Sequence, residues 1–176
     1  MNGTDRRRTM ARTVFVISIG LLLGSCASGP RVYSWFGDRT FNGMPRLLDP
    51  NPHSGLDVAA DVGDAVIAAA DGEVVESGPW PTCGTRVTIL HREYGSRTRY
   101  CHMALDGAAD LGPLKRGGVV GYVARLGTIG RDDPSHVHFE LIQNGLVDPA
   151  PHIVGCFDAK RGYPSDQFVL TWPVRC

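Results

Sequence analysis

From residue 55 onward, apolar positions come in short runs broken by turn residues: "GLDVAA", "AVIAAA", "GEVVESG", "TRVTILH", "RTRYCHM", "GGVVGYVA" and "HVHFELI". Valine, isoleucine, threonine and aromatic residues dominate several of them, and glycine or proline lies between, which is the pattern of short strands in an all-β domain. "HREYGSRTRY" reads as a hairpin with "RVTILH" and "RTRYCHM" as its arms. "AVIAAADG" alone reads equally as a helix turn, but it is short and ends in Asp71-Gly72, a hairpin-type dipeptide, and no long amphipathic helix appears anywhere. Residues 26–45 show neither period for long and read as a tether and N-terminal loop. The tail, residues 151–176, is irregular and holds Pro151, Pro164 and Pro173. The domain proper is expected over residues 46–150.

The first 25 residues break the pattern. Arg6, Arg7, Arg8 and Arg12 precede an apolar stretch from Val14 to Leu23, which is too short to span a bilayer at roughly 20 apolar residues and has the layout of a secretory signal. The stretch ends in Leu23-Gly24-Ser25-Cys26, which resembles the lipobox of bacterial lipoproteins. The resemblance implies cleavage before Cys26, acylation of its thiol and attachment to a membrane through lipid. In a Gram-negative host, Ala27 after that cysteine is similar to an outer-membrane address facing the periplasm.

Composition then narrows the class. Of 176 residues, 43% are hydrophobic and 20% charged, which suits one globular domain. Removing residues 1–25 takes away four arginines and Asp5, leaving 14 basic against 17 acidic residues and a net charge of −3. That sign disfavours a nucleic-acid partner, which calls for a basic face. Apart from Cys26, the cysteines are Cys83, Cys101, Cys156 and Cys176. An even number in an oxidising compartment suggests two disulfides. Of the three connectivities, the short loops favour Cys83 with Cys101 and Cys156 with Cys176.

Side chains at i and i+2 of a strand share a face, so His136 and His138 would stand side by side with Val137 and Phe139 behind them. "PHSGLD" places His53 and Asp57 where a loop enters a strand, since Pro52 and Gly55 oppose a helix. In "TRYCHM", alternation puts His102 with Tyr100 on one face and Cys101 with Met103 on the other. Tyr100 and Glu140 thus lie on the faces of neighbouring histidines and are candidates to hold an imidazole, with a surface role favoured for Glu140. Imidazole nitrogen and carboxylate oxygen are zinc ligands, and a catalytic site keeps one position for water. No H-E-x-x-H, C-x-x-C or phosphate loop occurs. A cysteine hydrolase on Cys101 and His102 is disfavoured, because adjacent strand residues face opposite ways and a disulfide would consume the thiol.

"HSGLD", "TRYCHM" and "HVHFE", in that order, resemble the lysostaphin/LytM-type zinc endopeptidases of bacterial peptidoglycan, and the likeness runs from about Tyr33 to Pro149. It implies a small antiparallel β-sandwich, a barrel-sandwich hybrid with a groove walled by loops. It implies one Zn2+ per chain held by His53, Asp57 and His138, with His102 and His136 as the catalytic pair, and a peptidoglycan peptide as substrate. The D-Ala to diaminopimelate cross-link is the favoured bond. The alternative is a non-catalytic wall-binding or amidase-activating module. The complete set of five positions argues against it, because activators in that family have lost ligands. A regulatory protein partner is not identifiable from the sequence.

Overall fold

The computed structural model describes residues 29–45, 51–125 and 134–176. The signal segment and Cys26 lie outside the described residues. Among the described residues, twelve strands run in order: β1 (Val32–Ser34), β2 (Thr40–Phe41), β3 (Met44–Pro45), β4 (Leu56–Ala59), β5 (Ala65–Ile67), β6 (Gly72–Trp80), β7 (Gly84–His91), β8 (Ser96–Met103), β9 (Gly112–Leu114), β10 (Val119–Tyr122), β11 (His136–Ile142) and β12 (Leu146–Val147). The helical segments among the described residues are single 3-10 turns at Arg92–Tyr94 and Ala150–His152. The all-β expectation therefore holds, and every strand pairing is antiparallel.

The main sheet has the order β1-β4-β11-β8-β7-β6-β9, with β12 added to β11. β5 and β10 form a second, two-stranded sheet. Strict alternation builds the core between these layers. Leu56 and Val58 of β4, Val87 and Ile89 of β7, and Val137, Phe139 and Leu141 of β11 are fully buried. Their neighbours Asp57, His136, His138 and Glu140 are thereby turned to the opposite face of the sheet. Each fully buried aliphatic side chain in that layer contributes about 1.5–3 kcal/mol. The Tyr100 hydroxyl accepts the Ala69 N–H at 2.9 Å across the core, and its burial pushes its pKa up to about 12.

Two regions without strand periodicity are nonetheless built into this frame. β1 pairs with β4, Val32 opposite Val58 and Ser34 opposite Asp57, so part of the expected tether is an edge strand. The tail buries Val169, Leu170, Thr171 and Val174, and Val174 bridges Val66 of β5. Arg116 fastens it by donating to the carbonyls of Ala69 and Val169. Neither region could show a period, because the first contributes strands of only two or three residues and the tail isolated bridges, too short for a run of alternating residues. Both disulfides, Cys83–Cys101 and Cys156–Cys176, are formed.

Candidate metal centre and active site

The antiparallel register of β4 and β11 sets His138 directly across from Asp57. His53 reaches the same spot from the preceding loop. Gly55 permits this, since a Cβ there would collide with the Phe139 carbonyl. The result is a triangle of atoms: His53 Nε2 to Asp57 Oδ1 is 3.0 Å, His138 Nδ1 to Asp57 Oδ1 is 2.8 Å, and His53 Nε2 to His138 Nδ1 is 3.0 Å. His53 and Asp57 are buried, and His138 is partly so.

The far side of each ring fixes what faces the triangle. His53 Nδ1 is 3.0 Å from the Trp35 carbonyl, which can only accept, so Nδ1 carries the proton and Nε2 presents a lone pair. His138 Nε2 is 3.2 Å from both Glu140 Oε1 and Ser54 Oγ, which directs its Nδ1 lone pair inward in the same way. Two ring nitrogens and a carboxylate oxygen then converge on one point, and a positive charge there, a proton or a metal ion, relieves their repulsion. Ligands at 2.0–2.1 Å around a tetrahedral zinc are about 3.3 Å apart, close to the edges of this triangle. The donor set of His53, Asp57 and His138 fits zinc.

Electrostatics agree with that demand for positive charge. Burial by itself would raise the Asp57 carboxyl, but its hydrogen bonds with His138 and His53, reinforced by the nearby imidazoles, hold it well below the usual carboxylate range. Burial pulls His138 down, yet its hydrogen bonds to Asp57 and Glu140 outweigh that and push it up to about 9. A proton and a metal ion compete for the same lone pair.

His102 and His136 flank the triangle. His136 Nδ1 donates to the Pro134 carbonyl at 2.8 Å, and its Nε2 lies 3.6 Å from Asp57 Oδ1. The His102 ring meets that of His136 edge-on at 4.9 Å and lies 6.0 Å from that of His138. Its Nδ1 is buried without a partner, a condition that costs about 1–3 kcal/mol and suits a group that meets a reactant. Burial, together with the charges of His136 and His138, pushes His102 down to about 3, so its imidazole is neutral near neutral pH. A cleft of about 590 Å³ opens beside it, lined among others by Trp80, Pro81, Met103 and Leu105.

The position of His102 differs from what alternation predicts. Tyr100 faces the core, packed on Phe139, and Met103 is buried there as well. Between them, Cys101 and His102 stand against the single residue Arg86 of β7, because the register runs from Val87–Tyr100 to Thr85–Met103. This β-bulge, with His102 at φ 68°, turns its ring to the face of His138. A non-glycine residue held there costs about 1–2 kcal/mol. The facing argument against a Cys101–His102 pair therefore fails, but the Cys83–Cys101 bridge consumes the thiol.

Glu140 is also not a surface residue. It is 6% exposed, accepts from Ser54 Oγ at 2.7 Å and pairs with Arg99 at 2.7 Å. Tyr100, the other candidate, touches no site imidazole through its hydroxyl, which is spent on Ala69 and Thr98. Ser54 and Arg99 were not singled out from the sequence. Arg99 becomes legible only with the register, which places it opposite Glu140. Glu140→Ala is expected to weaken zinc binding about 10–100-fold in competition with a chromophoric chelator. Unchanged affinity would remove Glu140 from the metal's support.

Comparison with known proteins bears on the whole of this region. The model of peptidase family M23 matches residues 51–149, a stretch that contains all five of these histidine and aspartate positions. The chain belongs to peptidase family M23. Its members are zinc metallopeptidases of the lysostaphin/LytM type. The DD-carboxypeptidase/endopeptidase Mpg of Neisseria meningitidis is 36% identical over 115 residues, 65% of this chain and 25% of that protein. The peptidoglycan DD-endopeptidase ShyC of Vibrio cholerae is 33% identical over 110 residues, 60% of this chain and 24% of that protein. The chain thus spans about a quarter of the length of these curated relatives. Among solved structures, a zinc-containing peptidase from Vibrio cholerae superposes with a TM-score of 0.54 at 29% identity, over 68% of this chain and 36% of that one.

Proposed function

We propose that this chain is a zinc-dependent endopeptidase that hydrolyses peptide bonds in the stem peptides or cross-links of bacterial peptidoglycan. The observation that carries the reading is the convergence of His53 Nε2, Asp57 Oδ1 and His138 Nδ1 within 3.0 Å of one another, with two further imidazoles alongside. A zinc ion held there supplies Lewis acidity, polarising a carbonyl and lowering the pKa of water toward ~7. Asp57 and the two ligand histidines keep that ion positive, since they bring one negative charge. His102, neutral and without a partner at Nδ1, is placed to accept a proton from the attacking water or to hold the developing oxyanion. His136, with its Nδ1 proton committed to Pro134, presents Nε2 and can receive a proton and pass it to the leaving amine. The sheet beneath supplies orientation, because all of these side chains project from three adjacent strands and one tight loop.

The DD-endopeptidase names of the Neisseria and Vibrio relatives support a bond between D-configured centres, and of such bonds the D-Ala to diaminopimelate cross-link is the one we favour. The signal-like N-terminus supports lipid attachment at Cys26 and a site in the periplasm on the outer membrane of a Gram-negative cell. Residues 1–25 would then be removed, leaving the peptidase region 46–150 between an anchored N-terminus and the disulfide-pinned tail 151–176. The competing reading is a wall-binding or amidase-activating module, and one experiment separates the two. Zinc-loaded protein is incubated with purified sacculi and the soluble products are analysed by mass spectrometry. Conversion of cross-linked dimers to monomers, abolished by a chelator and restored by zinc, is the expected result. An intact cross-link profile would leave only the binding module.

A further inference from the structure

One covalent bond joins the cleft to the bulge that carries His102. Cys83 closes the turn that starts at Trp80, donating its N–H to the Trp80 carbonyl at 3.2 Å, and Trp80 and Pro81 form a wall of the cleft. Cys101 is the first residue of the bulge and stands opposite His138. The Cys83–Cys101 bridge ties the two, and the His102 N–H donates back to the Cys83 carbonyl at 2.8 Å. On its other side, the His102 carbonyl accepts the Ala124 N–H at 2.9 Å.

The ring has no comparable hold. Its Nδ1 makes no well-formed hydrogen bond, the Cys83 backbone acts on it only as a minor contribution, and its ring neighbours are His136 and His138. The aim of the imidazole is therefore set by its backbone, and a left-handed backbone at a non-glycine residue persists only where the surroundings over-determine it. The Cys156–Cys176 bridge serves as an internal comparison. The sequence separations are 18 and 20 residues, so the two constrain the unfolded chain almost equally, yet only the first touches the site.

We infer that Cys83 and Cys101 are positioning residues for hydrolysis: their bridge locks the bulge that aims His102, so turnover depends on it while metal binding does not. The inference rests on the endopeptidase reading. The test compares wild type, Cys83→Ser/Cys101→Ser, His102→Ala and the combined variant, all zinc-loaded, on a cross-linked muropeptide dimer. Opening the bridge should lower kcat about 10²-fold, the scale of a misplacement near 1 Å, with KM and zinc content unchanged. In the His102→Ala background it should cost nothing further. The nuclear Overhauser effect between the His102 and His136 ring protons should disappear with the bridge. Cys156→Ser/Cys176→Ser should retain both that contact and kcat.

Equal loss of kcat in both backgrounds, or an intact ring contact without the bridge, would overturn the inference. If the serine pair does not fold, the Cys156→Ser/Cys176→Ser protein, which keeps only the groove-side bridge, is reduced with a phosphine and read in the same way. Unfolding of that protein too would make the bridge a structural staple and overturn the inference. A wild type that leaves the dimer uncut would instead sink the endopeptidase reading, and the ring contact would still report on positioning.

Discussion

His138→Ala is expected to lose its zinc and its hydrolytic activity together. His138 supplies one corner of the triangle through Nδ1, at 2.8 Å from Asp57 Oδ1. Alanine leaves two protein ligands where a catalytic zinc needs three. It also strips a hydrogen-bond partner from the buried carboxylates of Asp57 and Glu140. Metal catalysis is worth several kcal/mol of transition-state stabilisation, so the rate should fall by about 10³-fold or more. Metal analysis of the folded variant should find it essentially free of zinc, and chromatography of muropeptide digests should find no product above background. A variant that binds one zinc per chain with wild-type affinity would remove His138 from the ligand set.

His102→Ala should behave in the opposite way toward the metal. Its ring centroid lies 6.0 Å from that of His138, and none of its atoms belongs to the convergent triangle, so one zinc per chain should remain. The rate should fall about 10²–10⁴-fold, the range for a positioned acid or base. Because burial and neighbouring imidazoles push His102 down to about 3, it stays neutral from about pH 8 to about pH 5. The ratio of wild-type to variant rate should therefore show no step from titration of His102 itself across that window. Full activity in the variant would discard the catalytic assignment, and loss of zinc would make His102 part of the metal's support instead.

How far the sequence exposed this site depends on which physical regularity each residue obeys. Val137, Phe139, His136 and His138 follow strict alternation, so the wall of two imidazoles over an apolar layer was readable from seven letters. His53 and Asp57 were readable because Pro52 and Gly55 exclude a helix and force a loop. Alternation alone puts His102 on the face of Tyr100, since a bulge adds one residue to one strand without altering composition. Its trace is the backbone itself, in the φ of 68°. The burial of Glu140 is invisible in the sequence, because a carboxylate on an outward face is usually solvated. Its burial comes from Arg99 and Ser54, which lie 41 and 86 residues away in sequence, beyond any local signal. β1 and the tail look irregular for a related reason, the one a three-residue strand and the other joined through isolated bridges, each too short to show a repeating pattern.

Catalysis here requires three side chains from distant parts of the chain to share one divalent ion. Anomalous diffraction at the zinc edge, from crystals of zinc-loaded protein, tests this most directly. One peak is expected, about 2.0–2.2 Å from His53 Nε2, Asp57 Oδ1 and His138 Nδ1, with the fourth position not taken by protein. A zinc peak elsewhere, or one closed off by a fourth protein ligand, would contradict it.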